Sequence, residues 1–240
     1  MKHLNIIITI IAIVLIGILA FILLKKTVKN PENLDWANLN KYKEENLTID
    51  SSKNDKNRVV FMGNSITEFW DTHYPDFFKN PSYVNRGISG QTTPQMLLRF
   101  KQDVIDLKPE VVVILAGIND IAGNTGPSTQ KMIEDNIFSM VQLAKTNGIK
   151  VILCSVLPVF EFSKKKEIKP TKKVMALNVA IKEYAFKKNI LYLDYFSAMV
   201  DDRNGLIEAY TYDGLHPNTK GYKIMSPLVE EAIIATLNKN

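Results

Sequence analysis

The hydrophobic pattern changes period several times along the chain, and each change marks an element. Residues Ile6 to Leu24 are continuously apolar apart from Thr9 and a glycine at 17. A helix of that length, at 1.5 Å per residue, nearly crosses a hydrocarbon layer of about 30 Å. Asn30 to Asn57 is polar and charged, with Leu34, Trp36, Leu39 and Tyr42 set among acids, amides and lysines. Their spacing predicts a short amphipathic helix docked on the domain after it, then a flexible connector over Asp50–Asn57. From Arg58 onward, short apolar runs alternate with longer amphipathic ones. Val59–Met62, Ser82–Asn85, Val111–Ala116, Val151–Leu157 and Ile190–Leu193 read as strands. Thr93–Leu107, Gln130–Asn147, Lys172–Lys188 and Gly221–Leu237 carry apolar residues at helical spacing, and Gly148 stops the second of these.

Strands alternating with helices predict an α/β fold: a three-layer α/β/α sandwich around a mostly parallel five-stranded sheet. The chain then divides into an N-terminal membrane anchor or uncleaved signal segment over 1–29, an amphipathic helix and linker over 30–57, and one domain over 58–240. Lys2 precedes the apolar run of Ile6–Leu24, and Lys25 and Lys26 close it. No small-x-small cleavage site lies near Ala20–Lys26 and no lipobox cysteine is present, which favours an uncleaved anchor over an exported, cleaved signal peptide.

Composition narrows the chemistry. Hydrophobic residues make up 46% and charged residues 23%, values ordinary for a globular protein. The formal net charge of +5 is largely local, with Lys164, Lys165, Lys166, Lys169, Lys172 and Lys173 in one loop region. The bland reading of that loop is a solvated surface. No basic stripe carries interleaved aromatics, so nucleic acid is not an expected partner. Cys154 is the single cysteine. It sits in an apolar run and reads as a small buried hydrophobe, and no intramolecular disulfide is possible. Three histidines, His3, His73 and His216, are too few for a histidine metal cluster. Neither a metal nor a cofactor is implied, and any histidine base must be His73 or His216. Asn46-Leu-Thr48 matches a glycosylation sequon, which matters only in a glycosylating host.

Four segments carry candidate chemistry. Gly63-Asn-Ser65 follows the first strand, where an open α/β sheet binds its ligands. Ser65 is a candidate nucleophile or, more blandly, a helix cap. Asn85-Arg-Gly87-Ile-Ser-Gly90 follows the second strand and reads either as a connection or as a loop whose Gly87 N–H meets an oxyanion. Asn119 in Gly-Ile-Asn-Asp follows the strongest strand and is either a turn residue or a neutral donor to an oxyanion. Asp213-x-x-His216 precedes the last helix. A turn there lets the carboxylate hold the imidazole Nδ1–H and leaves Nε2 to take a proton from Ser65. The alternatives are a capping aspartate with an exposed histidine, or two metal ligands. His73 lacks a carboxylate at an orienting spacing.

In this order and spacing the four segments resemble the SGNH/GDSL hydrolase family of serine esterases, over roughly residues 58–237. The resemblance implies a flavodoxin-like sheet and ester hydrolysis without metal. It implies a Ser65–His216–Asp213 triad and an oxyanion hole from Ser65 N–H, Gly87 N–H and the Asn119 side chain. The family usually has aspartate where Asn64 stands, which changes the local field without removing a triad member. The pattern looks most like the platelet-activating-factor acetylhydrolase branch and bacterial carbohydrate acetylesterases, so short acyl chains are expected, on a small-molecule or glycan ester. Asn64, Phe160 and Phe162 are candidate substrate contacts. The bland alternative for the two phenylalanines is packing beneath a surface loop. Lysine counts favour a cytoplasmic domain, whereas a single leading span more often exports a hydrolase, and the expectation here is an extracytoplasmic domain held to the membrane. Competing readings on the same fold are a non-hydrolytic glycan-binding module, an O-acetyltransferase and a membrane-tethered scaffold. The oligomeric state is open.

Overall fold

Five parallel strands in the order β2-β1-β3-β4-β5 form one sheet. They are β1 Val59–Gly63, β2 Tyr83–Gly87, β3 Val111–Leu115, β4 Lys150–Cys154 and β5 Leu191–Leu193. This computed structural model describes residues 2–27, 35–49, 57–163 and 165–239. Every residue of β1 and β3 is buried rather than every second one. Such unbroken apolar strands are expected where helices cover both faces of a parallel sheet. The strand order is the flavodoxin-like one.

The helices of the domain are α2 Lys43–Thr48, α3 Ser65–Glu68, α4 Trp70–His73, α5 Thr93–Asp103, α6 Ile118–Ile121, α7 Gln130–Thr146, α8 Thr171–Lys187, α9 Tyr195–Met199 and α10 Thr219–Leu237. Helices α5, α7 and α8 pack side by side in one layer, while α10 packs with α9 and α4. Near the start of the sheet, Phe61 meets Trp70, Phe77, Phe78 and Tyr83 edge-on, and Trp70 stacks on Phe77 at 4.6 Å. Pairs of this geometry add to the area they bury.

Several boundaries differ from the sequence reading, and two of the differences have a visible cause. The fourth strand stops at Cys154 rather than at Leu157. Ser155 N–H still reaches Leu193 O at 2.9 Å, but Val156 N–H and C=O are both taken by the Asn178 side chain, at 2.7 and 2.9 Å. An amide side chain from α8 therefore replaces the next rung of the ladder. Helix α5 ends at Asp103 because the chain tightens into a 3₁₀ turn over Ile105–Leu107 and leaves it through Lys108 at φ 48°.

The chain forms two compact units, Met1–Trp36 and Ala37–Asn240. The first contains helix α1, Lys2–Thr27, 26 residues long. Among the described residues no helix is long and apolar enough to cross a membrane. The span expected over Ile6–Leu24 is therefore not established by the fold.

In the second unit, the expected amphipathic helix becomes the short α2, none of whose residues is buried. Leu34 and most of the connector, residues 50–56, lie outside the described residues. What fastens residues 37–49 is polar. Gln91 Nε2 donates to Ala37 O at 2.7 Å and Gln102 Nε2 to Leu39 O at 2.6 Å. Lys41 pairs with Glu68, and Tyr42 Oη donates to Gly87 O. Asn46 Oδ1 accepts from Arg86 Nε at 2.9 Å, and Asn46 Nδ2 donates to Asp103 Oδ1 at 2.8 Å.

Asp103 also holds Arg99 at 3.0 Å, with both side chains fully buried. Removing one member of such a pair leaves an uncompensated charge in a low dielectric, at a cost of about 3–5 kcal/mol. Asp103→Ala is expected to lower the urea midpoint by that order, with the denaturant slope unchanged. An unaltered midpoint would show that the pair contributes nothing to stability.

Candidate active site

The register sets Gly63 opposite both Gly87 of β2 and Leu115 of β3. The carboxyl ends of three strands thus lie side by side, and the loops leaving them converge where strand order reverses between β1 and β3. Ser65 leaves β1 as the first residue of α3. The Asn64 side chain accepts from the next amide, Ile66 N–H, at 2.9 Å and turns the chain sharply into that helix. The turn needs space. A Cβ on Gly63 would lie 2.0 Å from Thr67 Oγ1, and one on Gly87 would lie 2.1 Å from Glu68 N. Both glycines let α3 approach the strand ends.

Ser65 Oγ lies 3.0 Å from His216 Nε2, and His216 Nδ1 lies 2.6 Å from Asp213 Oδ2. Asp213 Oδ1 accepts the N–H groups of Leu215 and His216 at 2.9 and 2.7 Å. Partial burial pushes the Asp213 carboxyl up, but the donors from His216 and Leu215 outweigh it, and the group sits below its ordinary value. Thr211 Oγ1 donates to His216 O at 2.7 Å and closes the loop that carries both residues. Tyr212 stacks on the His216 ring at 5.7 Å, and Phe69 covers it at 5.5 Å.

Asn119 opens α6 at the end of β3, and its Nδ2 donates to Gln91 O at 2.9 Å. A side-chain amide carries two N–H groups, so this bond fixes the donor and leaves its second N–H for the cleft. Ser65, Gly90, Asn119, Phe162 and His216 line one cleft of about 290 Å³.

The structure brings Ser65, Asn119, Asp213 and His216 together. Gly87 is a correction. Its N–H donates to Asn85 Oδ1 at 2.9 Å, and the residue is not part of the cleft lining. Gly90, three residues on, lines the cleft at φ +78°. Asn64 is also corrected, since its buried side chain caps α3 instead of facing the cleft. The two phenylalanines separate. Phe162 lines the cleft, whereas Phe160 borders a neighbouring hollow with Arg203 over its ring at 5.2 Å. His73 stacks against Tyr222 at 6.1 Å, and its carbonyl accepts from Thr219 Oγ1. His216 alone meets the serine. Sequence reasoning missed Gly90, Asn124 and Lys165 as cleft residues. The second glycine of the Asn85–Gly90 loop was the available signal for the first of these. Cys154 is buried, as expected of it. Among the described residues no group of three or more metal-ligating side chains comes together.

Residues 61–224 match the GDSL-like lipase/acylhydrolase family. The chain belongs to this family. A GDSL-like lipase from Bacteroides thetaiotaomicron is 48% identical, with a TM-score of 0.81 and coverage of 83% of this chain and 98% of that one. An acetylxylan esterase of Xylanibacter ruminicola is 26% identical over 222 residues, covering 78% of this chain and 45% of the relative. The lipoprotein YqeF of Bacillus subtilis is 34% identical over 121 residues, covering 43% of this chain and 49% of the relative. The chain thus spans about half the length of these two curated relatives.

Behind this GDSL-family site, Asn85 Nδ2 bridges Thr67 O and Asp71 Oδ2, both at 2.8 Å. Asp71 is exposed overall, but partial desolvation of its carboxyl beside Asn85 is the main force on it and raises its pKa to about 6 from 3.8. A carboxyl raised on folding gives stability that is complete below the unfolded pKa and is lost as pH climbs through the folded one. Between pH 4 and pH 6.5, Asp71 therefore lowers stability as pH rises. Asp71→Asn is expected to remove that component, so the mutant should gain relative to wild type at pH 7 but not at pH 4 in urea unfolding. Parallel profiles for the two proteins would refute the assignment.

Proposed function

We propose that the protein is a serine ester hydrolase that acts on short acyl, chiefly acetyl, esters. The observation that carries this reading is the 3.0 Å contact from Ser65 Oγ to His216 Nε2, continued at 2.6 Å to Asp213. The distances suit a nucleophile, its base and the group that orients the base. Ser65 Oγ attacks the acyl carbonyl while His216 Nε2 takes its proton. Asp213 holds the Nδ1–H and stabilises the imidazolium. The oxyanion accepts hydrogen bonds from Ser65 N–H, Gly90 N–H and Asn119 Nδ2. The alcohol leaves with the proton from His216, and water, activated by the same imidazole, frees the acid.

A cleft of about 290 Å³ with Phe162 in its wall supports a small acyl group. Similarity to an acetylxylan esterase supports an acetylated sugar as the alcohol part. The apolar stretch Ile6–Leu24, helical as part of α1, supports attachment to a membrane, and similarity to a lipoprotein supports an exported domain.

The test is hydrolysis of p-nitrophenyl acetate, butyrate and octanoate by wild type and variants. Turnover is expected to fall with chain length. Ser65→Ala is expected to lose about 10⁴-fold or more, Asp213→Asn about 10⁴-fold through the wrong imidazole tautomer, and Asn119→Ala about 10²–10³-fold through one lost oxyanion donor. Equal turnover in Ser65→Ala would remove the nucleophile. Sugar binding without any turnover would leave a binding module instead.

A further inference from the structure

Among the described residues one lysine, Lys165, lines the cleft. Of the lysines clustered between residues 164 and 173, Lys166, Lys169, Lys172 and Lys173 are exposed, and Lys164 lies outside the described residues. Lys165 is half-buried and lines the same cleft as Ser65 and His216. Its ammonium donates to Ala122 O at 2.6 Å and to Asn124 Oδ1 at 3.0 Å. Both acceptors are neutral. An ammonium has three donors, so two N–H groups aim the head and the third is left for a group in the cleft.

The position of Lys165 is indexed to the reacting centre. Asn124 accepts from Lys165 and, through Nδ2, donates to Gly90 O at 3.1 Å. Its own N–H donates to Asn119 O at 3.0 Å. One side chain and one peptide thus tie the cation to both residues beside Ser65. The remaining lining is uncharged or hydroxylic apart from Asp213, whose two oxygens are already occupied by His216 and Leu215.

We infer that Lys165, positioned by Asn124, forms a subsite for a carboxylate on the substrate, so that the preferred ester is an O-acetylated sugar acid rather than a neutral sugar. This rests on the hydrolase reading above. A single ammonium matches a carboxylate in charge, and Asp213 in the same cleft opposes the second negative charge a phosphate dianion would bring.

The experiment compares O-acetylated glucuronic acid with the matching O-acetylated glucuronamide, using the full chain as wild type, Lys165→Met and Lys165→Arg. The wild type is expected to favour the acid about fivefold in kcat/KM, mostly through KM, as for a partly exposed charge pair. The preference should shrink at 0.5 M salt, an ionic strength of roughly three times the physiological one, where screening is stronger. Lys165→Met is expected to bring the ratio to about one, and Lys165→Arg to keep part of it. A ratio near one in wild type, or a preference unmoved by Lys165→Met, overturns the inference. A lysine that only caps the end of α6 would lower thermal stability and leave the ratio alone. Calorimetric binding of glucuronate and glucuronamide to Ser65→Ala separates the two readings. If no serine-dependent turnover exists, the hydrolase reading fails. The binding difference between the two ligands, and its loss in Ser65→Ala/Lys165→Met, still decides the role of Lys165.

Discussion

The guanidinium of Arg99 is the constraint on which the site depends. Its side chain is fully buried on α5, under the carboxyl ends of the first two strands. Nη2 donates to Gly63 O at 3.0 Å and Arg86 O at 2.8 Å, Nε donates to Gln91 Oε1 at 2.6 Å, and Nη1 pairs with Asp103 at 3.0 Å. Gly63 O also accepts from Ile88 N–H at 3.1 Å, and leaving buried carbonyls at strand ends short of donors is costly. One planar group with five donors meets two of them together. The same bonds fix the spacing of the turn that carries Ser65 and the loop that carries Gly90.

From Arg99 the order passes along Gln91 to Asn119, the proposed oxyanion donor at the end of β3. Gln91 is held through its side chain by Arg99, and its carbonyl accepts from Asn119. The next residues are pinned as well. Thr92 and Gln95 form a reciprocal cap at the start of α5. Asp120, beside Asn119, accepts from Thr93 N–H and, at 2.6 Å, from Thr93 Oγ1. Burial raises the Asp120 carboxyl, and the bonds from Thr93 pull it back. Loops after β2 and β3 are therefore locked to each other by side chains that never face the cleft. Preorganised donors of this kind need no rearrangement as charge develops on a substrate oxygen.

How much of this could be read from the chain depended on the range of the interaction. Strand and helix positions follow from apolar periodicity, and the order of five strands and their covering helices was legible. Asp213 and His216 were legible as a candidate pair because a turn can bring residues three apart onto one side. Ser65 and Asn119 were legible because each follows a strong strand directly. Gly87 against Gly90 was not. Two glycines share one loop, and which N–H faces the cleft is decided by Asn85, whose side chain captures the Gly87 amide. Phe160 and Phe162 stand two apart in an irregular segment, where no period says which one turns inward. Lys165 was lost among neighbouring lysines of identical local character. Its partner Asn124 lies far away in sequence, and only the fold brings them within 3.0 Å.

The same limit applies to residues 37–49, which read as part of an amphipathic helix docked on the domain although the helix observed there, α2, has no buried residue. Their attachment follows from a second buried cation. The Arg86 side chain is fully buried, and residues 37–49 supply Glu45 at 2.7 Å, Asn46 at 2.9 Å and the Tyr42 ring at 4.5 Å. Apart from these, it donates to Asn85 O, and among the described residues Nη2 has no hydrogen-bond partner. Stripped of residues 37–49, a cation beside the Gly87 turn would lose its counter-charge and its aromatic cover, and a buried charge in that condition is among the most destabilising features a fold can carry. The segment lies ahead of the family match, which begins at residue 61. It nevertheless belongs to the compact unit that starts at Ala37, because the end of β2 that leads into the Gly90 loop is electrostatically incomplete without it.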